Sequence, residues 1–167
     1  LILDAIYHDC PYEFFWYYGA SYGYYSNNDL TFWFYPSPYY RPSSYNDDSP
    51  TIDTVKLQRA TTAANTAAAI VSEYAALSDY DKLCAYADKI CSLVEYDYDA
   101  ANNNTFSLDV SPWSLVNVFD GDSSTNVVCE GYSEAFQYLC DNSTFTNDIE
   151  VYCATGNNHK WNIVRIN

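Results

Sequence analysis

A well-marked amphipathic segment lies in the middle of this chain. Ser78 and Asp81 have the spacing of a capping box, in which a hydroxyl and an acidic side chain satisfy the first amides of a helix. Apolar residues then recur every three or four positions, the period of a helix with one buried face. They are Leu83, Tyr86, Ala87, Ile90, Leu93 and Val94. The pattern predicts a helix that packs into a core rather than one that holds a cofactor.

The order of the other periodic segments predicts the fold class. Helical spacing also marks residues 51–77, 112–119 and the segment that starts at Cys129. Residues 148–154 and 159–166 alternate as strands do, and the turn-forming residues 155–158 join them. Helices followed by an antiparallel pair are typical of an α+β fold, with N-terminal helices packed on an antiparallel sheet.

The first fifty residues differ from the rest. They are rich in aromatic side chains, and we predict an N-terminal extension over 1–50 before a core domain over 51–167. Within the extension, residues 4–18 are expected to form a short helix. Residues 21–25 and 30–35 are expected to form strands around a turn at 26–29. Residues 39–50 and 95–104 are predicted to be loops.

Charge and composition exclude several kinds of partner. The chain has 22 acidic and 7 basic residues, a net charge of −15, and such a surface repels nucleic acid and anionic lipid. No apolar run approaches the roughly 18 residues of a membrane span, so membrane insertion is not expected. Nineteen tyrosines and few lysines favour a secreted or cell-surface protein.

The cysteines and histidines leave little room for a metal site. There are six cysteines and two histidines, with no C-x-x-C pair, so neither a metal nor another cofactor is predicted. A disulfide framework stays open, although Cys84 and Cys91 lie about 10 Å apart on one helix face and cannot pair with each other. We assign five of the cysteines to packing and give His8 no role. Those five are Cys10, Cys84, Cys91, Cys140 and Cys153.

Cys129 has a sequence context that suits a nucleophile. It follows the extended formers Val127 and Val128, and a helical stripe begins directly after it. A thiol in the first turn of a helix is favoured as the thiolate by the helix dipole and by free N–H groups. The same N–H groups can stabilise an oxyanion, and Gly131 would leave room for a substrate backbone. A cysteine at a helix start is, however, ordinarily a small buried hydrophobe.

His159 opens the last predicted strand. Alternation places it on one face with Trp161, Ile163 and Arg165, while Asn162 points the other way. If the sheet packs on the Cys129 helix, the imidazole approaches the thiol and could act as its base. The ordinary alternative is a surface histidine beside a turn.

Two motifs resemble the transglutaminase-like superfamily. Residues 128–136 read VCEGYSEAF and residues 159–164 read HKWNIV, similar to the V-C-E-G-Y-A-x-A-F and H-A-W-N-x-V of bacterial members. Residues 80–83 with 94–97, the segment 111–116 and the segment 8–16 are similar to the upstream segments of secreted members. The resemblance implies a papain-like core with Cys129 as nucleophile and His159 as general base. It also suggests Trp113, Glu130 and Gly131 as supporting residues near the oxyanion.

The resemblance leaves one part of the triad unassigned. Members carry an orienting Asp on the strand after the histidine strand, and no Asp or Glu follows His159 in this sequence. We expect that the sequence stops before that strand; the alternative is a Cys–His dyad.

The predicted function is acyl transfer or hydrolysis at protein or peptide amides through a Cys thioester. Water as the acceptor would make the protein a peptidase or amidase, and a lysine-type amine would make it a cross-linking enzyme. The alternative is a non-catalytic secreted module that binds peptide or glycan through the tyrosines clustered in residues 7–45.

Overall fold

Helices separate two antiparallel hairpins along the chain. The computed structural model describes residues 12, 17–24, 29–48, 50–103 and 111–167. The first hairpin and the helices are β1 (Tyr17–Tyr24), β2 (Leu30–Pro36), α1 (Gln58–Glu73), α2 (Asp79–Leu93), α3 (Tyr98–Asn103), α4 (Val116–Phe119) and α5 (Cys129–Asp141). The second hairpin is β3 (Ile149–Gly156) and β4 (His159–Ile166). The predicted α+β class is confirmed.

Helix α2 forms as its capping box predicts. The Ser78 hydroxyl accepts the N–H of Asp81 at 3.2 Å and donates to its carboxylate at 2.6 Å. Tyr86 and Ile90 on the apolar stripe are buried, and the Tyr86 hydroxyl reaches Ser143 at 2.6 Å. Burial raises the pKa of Tyr86. The stripe therefore serves core packing, as expected.

Helix α5 is the central element of the core. The β3–β4 hairpin packs on one side of it, and α1, α2 and α4 contact it elsewhere. The sheet thus packs on α5, whereas α1 and α2 pack mainly on other helices, so the predicted packing of the N-terminal helices on the sheet is only indirect. The core joins apolar side chains from all of these elements. They include Ala63, Ala67, Ile70, Tyr86, Ile90, Leu115, Val116, Phe119, Val127, Ala135, Leu139 and Val151.

The β3–β4 hairpin closes through a tighter turn than the predicted one. Asn157 and Asn158 have φ values of 51° and 57°, which is the left-handed conformation required by a two-residue type I′ turn. Thr155 and Gly156 therefore belong to β3, and Gly156 pairs with His159. The start of β4 at His159 is as predicted.

The N-terminal hairpin confirms two of the predicted strands. Strand β1 begins at Tyr17, so the predicted helix over 4–18 is wrong at its last two residues. Of the rest of that segment only Tyr12 is described. Its hydroxyl donates to the carbonyl of Ala60 in α1 at 2.6 Å, and its ring stacks on Tyr138 in α5 at 4.9 Å. His8, Cys10 and most of the predicted turn at 26–29 lie outside the described residues.

Helix α1 is shorter than the predicted segment 51–77. The Asp53 carboxylate accepts the N–H of Val55 at 2.9 Å and makes a turn there. Val55, predicted to lie on the apolar stripe, is 79% exposed. The helix begins three residues later, at Gln58.

Two further boundaries differ from the predictions. Residues 95–104 are not all loop, because the Asp97 carboxylate accepts the N–H of Ala100 at 2.8 Å and starts α3. Helix α4 begins at Val116 rather than at Pro112, which lies in a preceding turn. The loop predicted over 39–50 is confirmed except for a 3₁₀ turn at Pro38–Tyr40.

Polar side chains tie α1 to the end of α4. Arg59 donates to the side-chain oxygen of Asn117 at 2.9 Å and pairs with Asp120. Burial raises the pKa of the nearby Tyr40 to about 12, with Arg59 acting in the opposite direction.

In the described ranges, no helix combines the length and the apolar composition that crossing a lipid bilayer requires.

Asp79 anchors the start of α2 to the loop before β3, and this anchor should make stability depend on pH. Its carboxylate accepts the backbone N–H of Thr146 at 2.9 Å and of Asn147 at 2.8 Å. These backbone N–H groups, Thr146 first, hold the pKa of Asp79 below its ordinary value of 3.8, against the effect of burial. The carboxylate therefore stabilises the fold above pH 3.8, and this stabilisation is lost as the pH falls from 3.8 towards the folded pKa.

We expect Asp79→Asn to lower the melting temperature at pH 7, because the amide loses one of the two accepting oxygens. The difference from the wild type should narrow below about pH 4, as the wild-type carboxylate takes up a proton. Thermal unfolding followed by circular dichroism across pH measures both effects. Asp88→Asn, at an exposed position of the same helix, is the control. A constant difference between Asp79→Asn and the wild type at all pH values would contradict the assignment.

Candidate active site around Cys129

Backbone hydrogen bonds fix the segment that leads into α5. The N–H of Val127 donates to the carbonyl of Glu95 at 3.2 Å, and the carbonyl of Val127 accepts the N–H of Asp97 at 3.0 Å. The two segments thus form an isolated parallel bridge. The N–H of Val128 donates to the carbonyl of Pro112 at 2.9 Å. Both valines are buried. Cys129 therefore follows a segment that is held from two sides.

Cys129 is the first residue of α5, as predicted. It is a half-buried free thiol. The N-cap residue, Val128, makes no side-chain hydrogen bond to the first turn. The N–H groups of the first turn of a helix lack intrahelical acceptors, and Cys129 lies at that end of α5. Hydrogen-bond donors of this kind can stabilise an oxyanion.

His159 is exposed and lies at the end of the hairpin nearest the turn. Its ring stacks on that of Trp161, with centroids 6.0 Å apart and an interplanar angle of 23°. The face of the hairpin that packs on α5 carries Lys160 and Asn162, whose amide donates to the carbonyl of Ser133 at 2.9 Å. His159 and Trp161 therefore lie on the other face of the hairpin, in agreement with the predicted alternation. His159 reaches the site at the end of the strand instead.

Cys129 and His159 border the same two cavities. One has a volume of about 410 Å³ and lies between α2, α5 and β4, and the other, of about 620 Å³, lies towards α3 and the β3–β4 turn. Tyr96 and Lys160 also border both. The first cavity has an apolar lining that includes Ile90, Tyr132, Phe136 and Trp161. The second has a polar lining that includes Asn102, Trp113, Glu130, Thr155 and Asn158.

The three predicted supporting residues have different positions. Trp113 and Glu130 line the polar cavity together with Cys129. Gly131 is buried, and a Cβ added to it would lie 2.7 Å from the Cβ of Val127. Glycine at this position makes room for the side chain of Val127. Gly131 therefore has a packing role rather than the expected role of leaving room for a substrate backbone.

Tyr96 is a site residue that we did not predict. Burial raises the pKa of the Tyr96 hydroxyl. The electrostatic interaction and the side-chain hydrogen bond with Cys129 raise this pKa further, and a hydrogen bond with the backbone amide of Cys129 lowers it. Its ring stacks on Tyr132 at 6.2 Å, with an interplanar angle of 16°. Tyr96 lies within the upstream segment 94–97 of the family resemblance, and that segment was the available signal.

The other described cysteines are also free thiols. Cys140 is buried, as expected, and burial raises its pKa to about 12. Cys153 is half-buried, and burial raises its pKa to about 11. Cys84 and Cys91 are exposed, so their assignment to packing is wrong. Because Cys91 borders the apolar cavity, it provides an internal comparison for the reactivity of Cys129.

The described lining of the two cavities contains few carboxylates that could orient His159. Of the described residues that border the two cavities, only Glu130 is acidic, and it pairs with Lys160 at 3.4 Å. The described residues contain no group of three or more His, Cys, Asp or Glu side chains placed to hold a metal ion.

Comparison with models of protein families, with curated proteins and with solved structures gave no match. We therefore base the functional proposal on the side chains around Cys129 and on the motif resemblance.

Gly131 provides a test of how α5 is seated. We expect Gly131→Ala to lower the free energy of unfolding by about 1–3 kcal/mol, because the new methyl group overlaps Val127 in a packed region. Denaturant unfolding measures this change. Gly19→Ala is the control, since a Cβ at Gly19 meets nothing within 4 Å. Equal stability of the two variants would show that Val127 does not confine Gly131.

Proposed function

We propose that the protein is a transglutaminase-like thiol enzyme with a papain-like core, which transfers or hydrolyses acyl groups at protein or peptide amides. The observation that carries the proposal is the common cavity lining of Cys129 and His159, at the starts of α5 and β4. Each residue occurs in a motif that resembles that superfamily. Thioester chemistry requires at least a thiol nucleophile and a nearby base, and a thiol and an imidazole border one cavity here.

The chemistry follows from the roles of the two side chains. The Cys129 thiolate attacks the amide carbonyl carbon and forms a C–S bond. The C–N bond then breaks as the protonated His159 gives its proton to the departing amine, leaving a thioester on Cys129. Water or a primary amine then attacks the thioester carbonyl carbon and gives a proton to His159. The C–S bond breaks, which releases the acid or the new amide and restores the Cys129 thiolate and the protonated His159. In this proposal, the N–H groups of the first turn of α5 stabilise the oxyanion.

The two cavities suit the two kinds of surface that a peptide presents. The apolar cavity of about 410 Å³ can receive an aliphatic or aromatic side chain of the substrate, because rings and aliphatic side chains line it. The polar cavity offers amide and hydroxyl groups to the peptide backbone. The net charge of −15 disfavours nucleic acid as a substrate. Secretion or display at the cell surface remains a prediction from composition.

Orientation of the imidazole is a separate part of the proposal. The resemblance implies an aspartate on a strand that follows β4. With that group absent, His159 would be a weaker base, because its tautomer and ring orientation would be less well held.

The test of the proposal is trapping of the acyl-enzyme. Wild-type protein incubated with casein and hydroxylamine should form hydroxamates, detected by colour and by mass spectrometry, because hydroxylamine cleaves a thioester. Cys129→Ala should abolish the product. His159→Asn should reduce the rate by about 10²–10⁴-fold, the usual contribution of a general acid–base group. Cys84→Ala, which removes an exposed thiol that borders neither cavity, should leave the rate unchanged.

Thiol reactivity provides a second measure that needs no substrate. Iodoacetamide should modify Cys129 faster than the exposed Cys84 and Cys91, and Tyr96→Phe should alter the rate at Cys129 alone. Equal rates at all three thiols, together with no hydroxamate, would contradict the enzyme proposal.

An exposed aromatic face supports a second candidate function, binding of peptide or glycan without catalysis. In the β1–β2 hairpin Tyr22 pairs with Phe32 and Tyr24 with Leu30, so the four side chains lie on one face. Tyr22 and Tyr24 are 66% and 74% exposed. Contiguous exposed apolar surface of this kind is typical of an interaction site.

The two candidates are separated by substitution of the hairpin rings. If this face binds a ligand, the double substitution Tyr22→Ser with Tyr24→Ser should abolish retention on peptide and glycan arrays, while Cys129→Ala retains it. Tyr80→Ser removes a ring from α2 that is equally exposed, and it serves as the control. Unchanged retention by the double variant would remove the binding candidate.

A further inference from the structure

A buried ion pair joins α5 to β4 beside the candidate site. Lys160 Nζ lies 2.7 Å from Glu134 Oε1, and the two side chains are only 3% and 2% exposed. Glu130 Oε1 lies 3.4 Å from the same ammonium group. Lys160 thus faces two carboxylates from consecutive turns of α5.

The pair lies next to the two candidate catalytic residues in sequence as well as in space. Lys160 directly follows His159 on β4, and Glu130 directly follows Cys129 on α5. The carbonyl of Ser133 accepts the side-chain amide of Asn162 at 2.9 Å, which adds a second link between the same two elements. His159 and Cys129 are therefore one residue away from Lys160 and Glu130, respectively, while Glu134 lies one turn further along α5.

Burial and the neighbouring charges shift the pKa values of the paired side chains in opposite directions. Burial raises the pKa of Glu134, and the attraction of Lys160 acts in the opposite direction. For Lys160 burial acts to lower the pKa, but Glu134 and Glu130 outweigh it and the pKa is raised. The thiol of Cys153 on β3 also faces this group.

A pair of this kind is not an efficient way to stabilise a core. Apolar residues of similar volume often give equal or greater stability at a buried ion-pair position. What an ion pair adds is direction, since the 2.7 Å contact fixes one element relative to the other. Lys160 also departs from the similar motif H-A-W-N-x-V, which has alanine at that position, whereas Glu134 lies at a variable position of the other motif.

We propose that Lys160 and Glu134 are positioning residues, which set the imidazole of His159 in register with the thiol of Cys129. The proposal rests on the proposed thiol chemistry. The ion pair holds the start of β4 against the first two turns of α5, so that the two reacting side chains border the same cavities.

The test separates positioning from stability by replacing both charges. The double substitution Glu134→Met with Lys160→Met should fold with a melting temperature equal to or above that of the wild type. Its kcat for hydroxamate formation should fall on the order of 10²-fold with little change in KM, which is the effect of a misplaced catalytic group. Each single substitution should be less stable than the double one, because it leaves a buried charge without its partner. The double substitution Glu73→Met with Lys89→Met, at a more exposed pair 3.3 Å apart, is the matched control.

A spectroscopic readout keeps the test independent of turnover. The chain has two histidines, so the ring resonances of His159 can be assigned by comparison with His159→Asn. Carbamidomethylation of Cys129 should change the pH titration of His159 in the wild type and in the control pair. In the Glu134→Met, Lys160→Met protein this coupling should be lost.

Each outcome bears on a different claim. A stable double variant that keeps both activity and coupling overturns the positioning role and leaves the proposed function intact. Absence of coupling in the wild type also overturns it, since nothing would then be positioned. A wild-type protein that shows coupling but forms no hydroxamate overturns the proposed function, and loss of coupling in the double variant would still support the positioning role.

Discussion

The hydrogen bonds that hold Val127 and Val128 determine where α5 starts and hence where Cys129 lies. Val127 bonds to residues 95–97, and Val128 bonds to Pro112. These contacts bring segments far apart in sequence to one point, and both valines are buried there. Gly131 then allows the first turn of the helix to lie against Val127. The thiol, the Tyr96 ring and the two cavities are arranged around this junction.

Around that junction the protein separates apolar from polar surroundings. On one side of Cys129, rings and aliphatic side chains from α2, α5 and β4 form a cavity, and on the other side amides and hydroxyls do so. Beneath the site, a buried lysine and a buried glutamate lie where a core would ordinarily be apolar. Ionised groups are costly to bury, so the presence of this pair beside Cys129 and His159 agrees better with the proposed positioning role than with a gain in stability.

The sequence carries the local features of this fold much better than the contacts between elements. The Ser78 capping box, the Asn157–Asn158 turn and the start of α5 depend on neighbouring residues, and each was predicted close to its observed position. Helix α3 was missed because its acidic and Asn-rich composition is typical of loops, although Asp97 caps it. The ion pair of Lys160 with Glu134 and the contact of Tyr96 with Cys129 join residues 26 and 33 positions apart. No periodic pattern encodes such contacts.

The turn at Asn157 and Asn158 has a consequence for the chemistry of the whole site. Its two residues set the register in which Gly156 faces His159 and Thr155 faces Lys160. Neighbouring side chains on a strand point to opposite faces, so a slip of one residue would exchange them. The imidazole would then point towards the two glutamates of α5, and the ammonium group of Lys160 would point towards solvent. Two left-handed asparagines thus decide which of two adjacent side chains, an imidazole or an ammonium group, lies on the exposed face of β4 and which lies against the glutamates of α5.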